Sequence, residues 1–189
     1  MNRIVILATA SACGKTTLGR ELARRLDAAF HELDALNHGP NWTEATPAEL
    51  RARVEPLLDG ERWVVDGAYR SKLGDVVLER ADLVVWLDLP RRVWFPRLLR
   101  RTLRRIVSRE ELWNGNRESL RTTFFSRDSL LLFALRTAPN RLRAYPEQLG
   151  RYPLVRLRSP REVARWLDGY SSSAISPAAR AAPPESTGM

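Results

Sequence analysis

Apolar residues in this chain follow two rhythms. Short, nearly unbroken apolar runs occur at about 3–8, 29–33, 62–66, 82–88 and 153–158. Stretches with a helical repeat separate them. Unbroken runs mark strands buried on both faces, and strands alternating with helices mark a parallel sheet covered on both sides. The pattern therefore predicts an α/β fold with five strands. Two helix starts are written out in the sequence. Thr46-Pro47-Ala48-Glu49 and Ser159-Pro160-Arg161-Glu162 each carry a capping hydroxyl, a proline at the first helical position and a glutamate two residues later.

About 65 residues separate the fourth run from the fifth, too many for one crossover. Insertions at this place often close over a ligand. The expected layout is one domain over 1–170, with a lid and helical insertion at about 91–150. The Ser-, Ala- and Pro-rich stretch 171–189 is expected to be disordered. After Pro90, Phe95, Leu99, Leu103 and Ile106 fall on one helical face, and Arg97, Arg101, Arg104 and Arg105 on another. Pro96 must lie in the first turn or kink that helix.

Charge sharpens the picture. The chain has 189 residues and a formal charge of +9, carried almost entirely by arginine; lysine stands only at positions 15 and 72. Arginine forks match phosphate geometry, so either nucleic acid or a site that clamps several phosphates is implied. No apolar stretch approaches the ~20 residues of a membrane span. Cys13 is the sole cysteine, which excludes a disulfide framework and suits the reducing cytoplasm. The small residues before Cys13 superficially resemble an export signal, but the apolar run is short and Gly-Lys-Thr-Thr follows it.

The chemistry begins at the first strand. RIVILATASACGKTTLGRELARRL runs from an apolar strand through a small-residue loop into an amphipathic helix. That order is the context of a phosphate-binding loop. Backbone amides of Ala10, Ser11, Ala12, Cys13 and Gly14 would cradle phosphates at the helix N-terminus. Lys15 would reach the β- and γ-phosphates, Thr16 would ligate Mg²⁺, and Thr17 would bond the α-phosphate. The pattern G-x-x-x-x-G-K-S/T wants glycine where Thr9 stands, and Ala12 occupies another common glycine position. Thr9 tolerates φ > 0 poorly, so the loop is expected to turn differently or bind less tightly.

Two further strands end in acids. WVVDGAYR places Asp66 before Gly67 and Arg70, and DLVVWLDLPRR ends in Asp88. An acid at a strand's carboxyl end faces the crevice where α/β proteins bind ligands. Asp66 and Asp88 compete for the Mg²⁺ role, with Asp66 favoured because Gly67 permits a tight turn. FHELDAL puts Glu32 and Asp34 at alternate positions, on one side of a strand. Asp34 could orient or deprotonate an acceptor hydroxyl. Trp113, Asn114, Gly115, Asn116 and Arg117 could read a base or sugar, or simply connect two helices.

LDALNHGPNW, VVDGAYRSKL and ADLVVWLDLPR make the chain, over about 3–168, resemble the adenylate-kinase-like branch of P-loop kinases. Within that branch it is most similar to bacterial proteins labelled DNA topology modulation or adenylate-kinase-related. The resemblance implies a three-layer P-loop NTPase fold, with a five-stranded parallel sheet of order 2-3-1-4-5 and a helical lid. It implies ATP and Mg²⁺ as cofactors. It assigns Asp66 to the metal, Arg70 to a substrate phosphate, Arg97 to the adenine and Arg101 to phosphate from the lid. Arg158 would lie at the adenine edge. Glu32 and Asp34 resemble the acidic pair of shikimate-type kinases, which makes Asp34 an acceptor-binding candidate. The lid matches neither group, so the acceptor stays open between a small molecule and a nucleotide. The expected function is ATP- and Mg²⁺-dependent phosphoryl transfer. No N-K-x-D segment is present to read guanine, which favours ATP. The basic helix keeps a nucleic-acid-associated NTPase or regulator as the alternative, and the substitutions at positions 9 and 12 keep open a nucleotide binder without turnover.

Overall fold

The computed structural model describes residues 1–108, 111, 113–116 and 130–170. The tail 171–189, Arg117 and most of the stretch 109–129 lie outside the described residues, so the expectation of disorder in the tail is not addressed by them.

Strands β1 (Arg3–Ala8), β2 (Ala29–Glu32), β3 (Trp63–Asp66), β4 (Leu83–Leu87) and β5 (Leu154–Leu157) form one parallel sheet of order β2-β3-β1-β4-β5. The helices are α1 (Lys15–Leu26), α2 (Leu33–Asn37), α3 (Pro47–Leu58), α4 (Arg70–Leu73), α5 (Val76–Glu79), α6 (Arg91–Ser108), α7 (Leu130–Leu149) and α8 (Pro160–Gly169). This is the α/β fold and the strand order that the sequence implied.

The strand alternation of side chains explains why β1 is apolar throughout. Ile4 and Ile6 point into a core with Leu18 and Leu22 of α1 and Leu98 of α6. Val5 and Leu7 point the other way, to Leu50 and Val54 of α3 and to Trp63 and Trp86. Gly19 of α1 sits against Phe30 so closely that a Cβ would come within 2.4 Å of the ring. Helix α7 carries Ala134 and Ala138 into the first core and Leu149 into the second. It therefore passes from one face of the sheet to the other.

Both predicted helix starts form. Thr46 and Glu49 make a reciprocal capping box at α3. At α8 the Ser159 hydroxyl accepts from the Glu162 amide, while the Glu162 carboxylate accepts from the Arg158 amide at 2.8 Å. Helix α6 shows which of its faces is buried. Its buried stripe is Trp94, Leu98 and Thr102, and Leu103 is 44% exposed. Phe95 is half-buried at the edge of that core, and Leu99 is half-buried. Pro96 lies inside the helix rather than in its first turn. Among the described residues no helix is long and apolar enough to cross a membrane.

Candidate active site

The loop between β1 and α1 opens at the carboxyl end of the sheet. Its left-handed residues are Ala12 (φ 61°) and Gly14 (φ 92°). Thr9 does not adopt positive φ, and the loop makes its left-handed turns further on. The strain falls on Ala12 instead, where a Cβ is tolerated at a cost. Gly14 precedes the first turn of α1, and no side chain caps that helix. Gly14 has no side chain to cap the leading amides of α1, and among the described residues no side-chain bond to them is seen; uncapped amides at a helix start favour an anion. Ala10 and Cys13 are buried, Ser11 and Ala12 are half-buried, and Thr17 is exposed. Burial pushes the Cys13 thiol up, opposed first by backbone hydrogen bonds at Ala10 and Leu89 and then by the charges of Lys15 and Arg97. A buried, protonated thiol is inert, so Cys13 serves the loop through its backbone.

Lys15, Thr16 and Asp66 meet at the loop's mouth. The Lys15 ammonium contacts Asp66 Oδ1, and the Thr16 hydroxyl donates to Asp66 Oδ2 at 2.7 Å. Asp66 is only 5% exposed. Asp66 does not cap the following helix; Tyr69 stands at the start of α4. Burial pulls the Lys15 ammonium down, but the charges of Asp66 and Asp34 outweigh it and hold its pKa above the usual lysine value. The donor set fits Mg²⁺. Thr16 and Asp66 supply hard oxygen ligands, and Mg²⁺ usually takes one or two protein oxygens with phosphates and water completing its shell. Among the described residues no group of three or more His, Cys, Asp or Glu is gathered, so a dedicated metal cage is not the arrangement here.

Asp88, the competing candidate, is engaged elsewhere. The Thr9 hydroxyl donates to its Oδ1 at 2.9 Å, and Arg156 donates to its Oδ2 at 2.7 and 3.0 Å.

The acidic pair differs from the sequence reading. β2 ends at Glu32 and a helix begins at Leu33. Glu32 and Asp34 therefore do not share one side of a strand. Glu32 pairs with Arg20 at 3.2 Å, whereas Asp34 lies in the first turn of α2 and accepts from the Tyr69 hydroxyl at 2.7 Å. Asp34 is close enough to Lys15 to raise its pKa. One turn on, Asn37 is buried at 1% exposure; its Oδ1 accepts from Lys72 at 2.7 Å and its Nδ2 has no partner. Lys72 also donates to Glu44 and to the Ala45 carbonyl.

The arginines divide. Arg97 on α6 faces the loop closely enough for its charge to act on Cys13. Arg101, one turn further along α6, is half-buried. Arg70 is held by Asp75 at 2.5 Å and by Gln148 of α7 at 2.6 Å, so the structure does not bring it to the Lys15 cluster. The Arg158 amide is taken by Glu162. Sequence reasoning missed Arg141 of α7, whose charge acts on Lys15. Its signal was a charged residue on the helical stripe of Ala134, Ala138, Tyr145 and Leu149, where α7 crosses the sheet's end.

The Trp113–Gly115 turn and Asn116 are bonded to the loop after α2. Asn114 Nδ2 donates to the His38 carbonyl, Asn116 Nδ2 to the Gly39 carbonyl at 2.8 Å, and Asn116 Oδ1 accepts from the Trp42 amide at 2.9 Å. These bonds hold Asn41 and Trp42 in left-handed conformations (φ 56° and 59°).

No protein-family model matches the sequence, and a search of curated proteins found no match. Solved structures do resemble it. The shikimate kinase of Bacteroides thetaiotaomicron superposes over 88% of this chain and 94% of its own, at TM-score 0.54 and 17% identity. A shikimate kinase from Acinetobacter baumannii, in complex with shikimate, covers 87% of this chain and 89% of its own at TM-score 0.52 and 15% identity. A putative kinase from Chloroflexus aurantiacus covers 89% and 96%, at TM-score 0.50 and 18% identity. At these identities the likeness concerns architecture: the five-stranded parallel sheet and its surrounding helices are the P-loop kinase fold.

Proposed function

We propose that the chain is an ATP- and Mg²⁺-dependent kinase that transfers a phosphoryl group to a hydroxyl of a small-molecule or nucleotide acceptor. The convergence of Lys15, Thr16 and Asp66 on an uncapped helix N-terminus supports this reading more than any other observation. The amides from Ala10 to Gly14, with Thr17, take the phosphates. With nucleotide bound, the Lys15 ammonium would pair with the β- and γ-phosphates, and Thr16 and Asp66 would hold Mg²⁺. When bound, the metal neutralises charge on the transferring group. Arg97 and Arg101 of α6, with Arg141 of α7, supply cations from the lid side. Asp34, oriented by Tyr69, takes the acceptor's hydroxyl proton. Arg158, its amide committed to Glu162, serves the adenine edge through its carbonyl. A role for Arg70 on a substrate phosphate requires release from Asp75. The proposed setting is the cytoplasm.

The test is ATP consumption in the presence of nucleoside monophosphates, sugars and hydroxy acids, with Lys15→Ala alongside. Transfer to one acceptor class, lost in Lys15→Ala, is the expected result. Failure of the parent protein to bind Mg·ATP overturns the reading.

The exposed Arg91, Arg92, Arg100 and Arg104 of α6 favour a second reading, an NTPase or regulator that acts on nucleic acid. Neutralising several phosphates gives a log–log salt slope of about −0.9 per contact. Weak DNA binding with no salt dependence removes this reading.

A further inference from the structure

We propose that Thr9, which stands where the phosphate-loop pattern calls for glycine, is a positioning residue for the nucleotide. This rests on the reading of the loop as an ATP site. Thr9 is 4% exposed and follows directly on β1. Its hydroxyl has two fixed partners. It donates to Asp88 Oδ1 and accepts from the buried indole N–H of Trp86, both at 2.9 Å. Asp88 is held in turn by the Arg156 guanidinium, which lies over the Trp86 ring at 4.1 Å. The backbone repeats the connection: the Thr9 amide donates to the Leu87 carbonyl and the Asp88 amide to the Leu157 carbonyl. One hydroxyl thus ties the carboxyl ends of β1, β4 and β5 together at the residue where the loop begins.

Glycine at this position would leave two groups without a partner, the Trp86 N–H and Asp88 Oδ1. It would also loosen the chain at the hinge between strand and loop. The loop must hold its amides toward one centre, and a fixed first residue reduces the ordering cost on binding. Thr9 is therefore a substitute for the glycine turn, built from residues on three strands, and the strain that remains is confined to Ala12 and Gly14.

The experiment measures Mg·ATP dissociation constants by titration at a temperature where every variant is folded, together with the Trp86 indole N–H resonance. Thr9→Gly restores the motif yet is expected to weaken Mg·ATP binding about tenfold or more, the scale of one lost buried hydrogen-bond set. Thr9→Val keeps the shape and is expected to do the same, with a shifted indole resonance. It carries the test if the glycine variant fails to fold. Thr9→Ser keeps the hydroxyl and is expected to bind within about twofold of the parent, on the same hydrogen-bond accounting. Adding Arg156→Gln to Thr9→Val should weaken binding no further than the stronger single change, because both act through Asp88. Thr9→Gly or Thr9→Val binding as tightly as the parent overturns the proposal, as does an unmoved indole resonance in Thr9→Val. Failure of the ATP reading shows differently: Lys15→Ala would then bind Mg·ATP as the parent does.

Discussion

The two strands that flank β1 each end with an aspartate at the sheet's carboxyl edge, and the two acids have different partners. Asp66 follows β3's last valine and holds Lys15 and Thr16. Asp88 follows β4 and holds Thr9 and Arg156. Burial does not separate them, since their side chains are 5% and 11% exposed. Their partners do. Lys15 and Thr16 sit on the first turn of a helix whose amides are uncapped, so an incoming anion can recruit them. Thr9 and Arg156 belong to the strand framework, and Arg156 is further held by the Trp86 ring. A carboxylate's chemistry here is set by whether its partners can leave.

The strongest way to break this comparison is Asp66→Asn set against Asp88→Asn. Asp66→Asn should lower phosphoryl transfer by about 10²–10³-fold, the usual cost of removing one preorganised electrostatic contact. It should also raise the Mg²⁺ concentration needed for half-maximal rate. Asp88→Asn should leave the Mg²⁺ requirement where it was and lower folding stability by about 1–3 kcal/mol, because Arg156 loses its charged partner. Denaturant unfolding and Mg²⁺ titration of both variants check this pair. Equal Mg²⁺ shifts in both variants would erase the distinction.

The next effect concerns the arginines of α6 and α7. Arg101→Ala should lower kcat by about tenfold with a smaller change in ATP affinity, as expected for a contact made mainly in the transition state. A change confined to KM would place Arg101 in ground-state binding. Arg141→Ala, measured in parallel, shows whether α7 shares that duty.

The framework was legible because it is written in continuous segments. Ile4 to Leu7 with Gly14-Lys15-Thr16 spells strand, loop and helix within a few residues. The runs ending in Asp66 and Asp88 announce buried strands by being apolar on both faces. The rest depends on residues distant in sequence. The part played by Thr9 is invisible without Asp88, 79 positions away, and Arg156, a further 68 on. Glu32 and Asp34 look like a strand pair because two-residue alternation ignores where the strand stops; the chain turns into a helix at Leu33. The buried face of α6 was not legible because the apolar stripe of Phe95, Leu99 and Leu103 adjoins that of Trp94 and Leu98, and only the packed structure shows that Trp94, Leu98 and Thr102 are the buried residues. Arg141 went unnoticed because nothing local says that α7 crosses the end of the sheet.

The smallest expected effect is a pH dependence, and it tests the Asp66 side alone. Burial disfavours the Lys15 charge, but Asp66 and Asp34 hold its pKa above the ordinary value of 10.5. A lysine that binds its proton more tightly when folded contributes stability that is fully present below its unfolded pKa. That contribution is lost as pH rises through the folded value, because the unfolded chain then carries fewer protons than the native one. The parent's thermal midpoint should therefore fall as pH passes above about 10.5, apart from the general alkaline loss shared by all variants. In Asp66→Asn the carboxylate that lifts Lys15 is gone, so this part of the decline should shrink. Asp88→Asn should keep it, since Asp88 has no direct contact with Lys15. Thermal unfolding of the three proteins between pH 9 and 12 reads the difference on the tyrosine-independent far-UV signal. If Asp66→Asn and the parent fall in parallel, the Lys15–Asp66 pair contributes nothing to the apo protein that a ligand would need to displace.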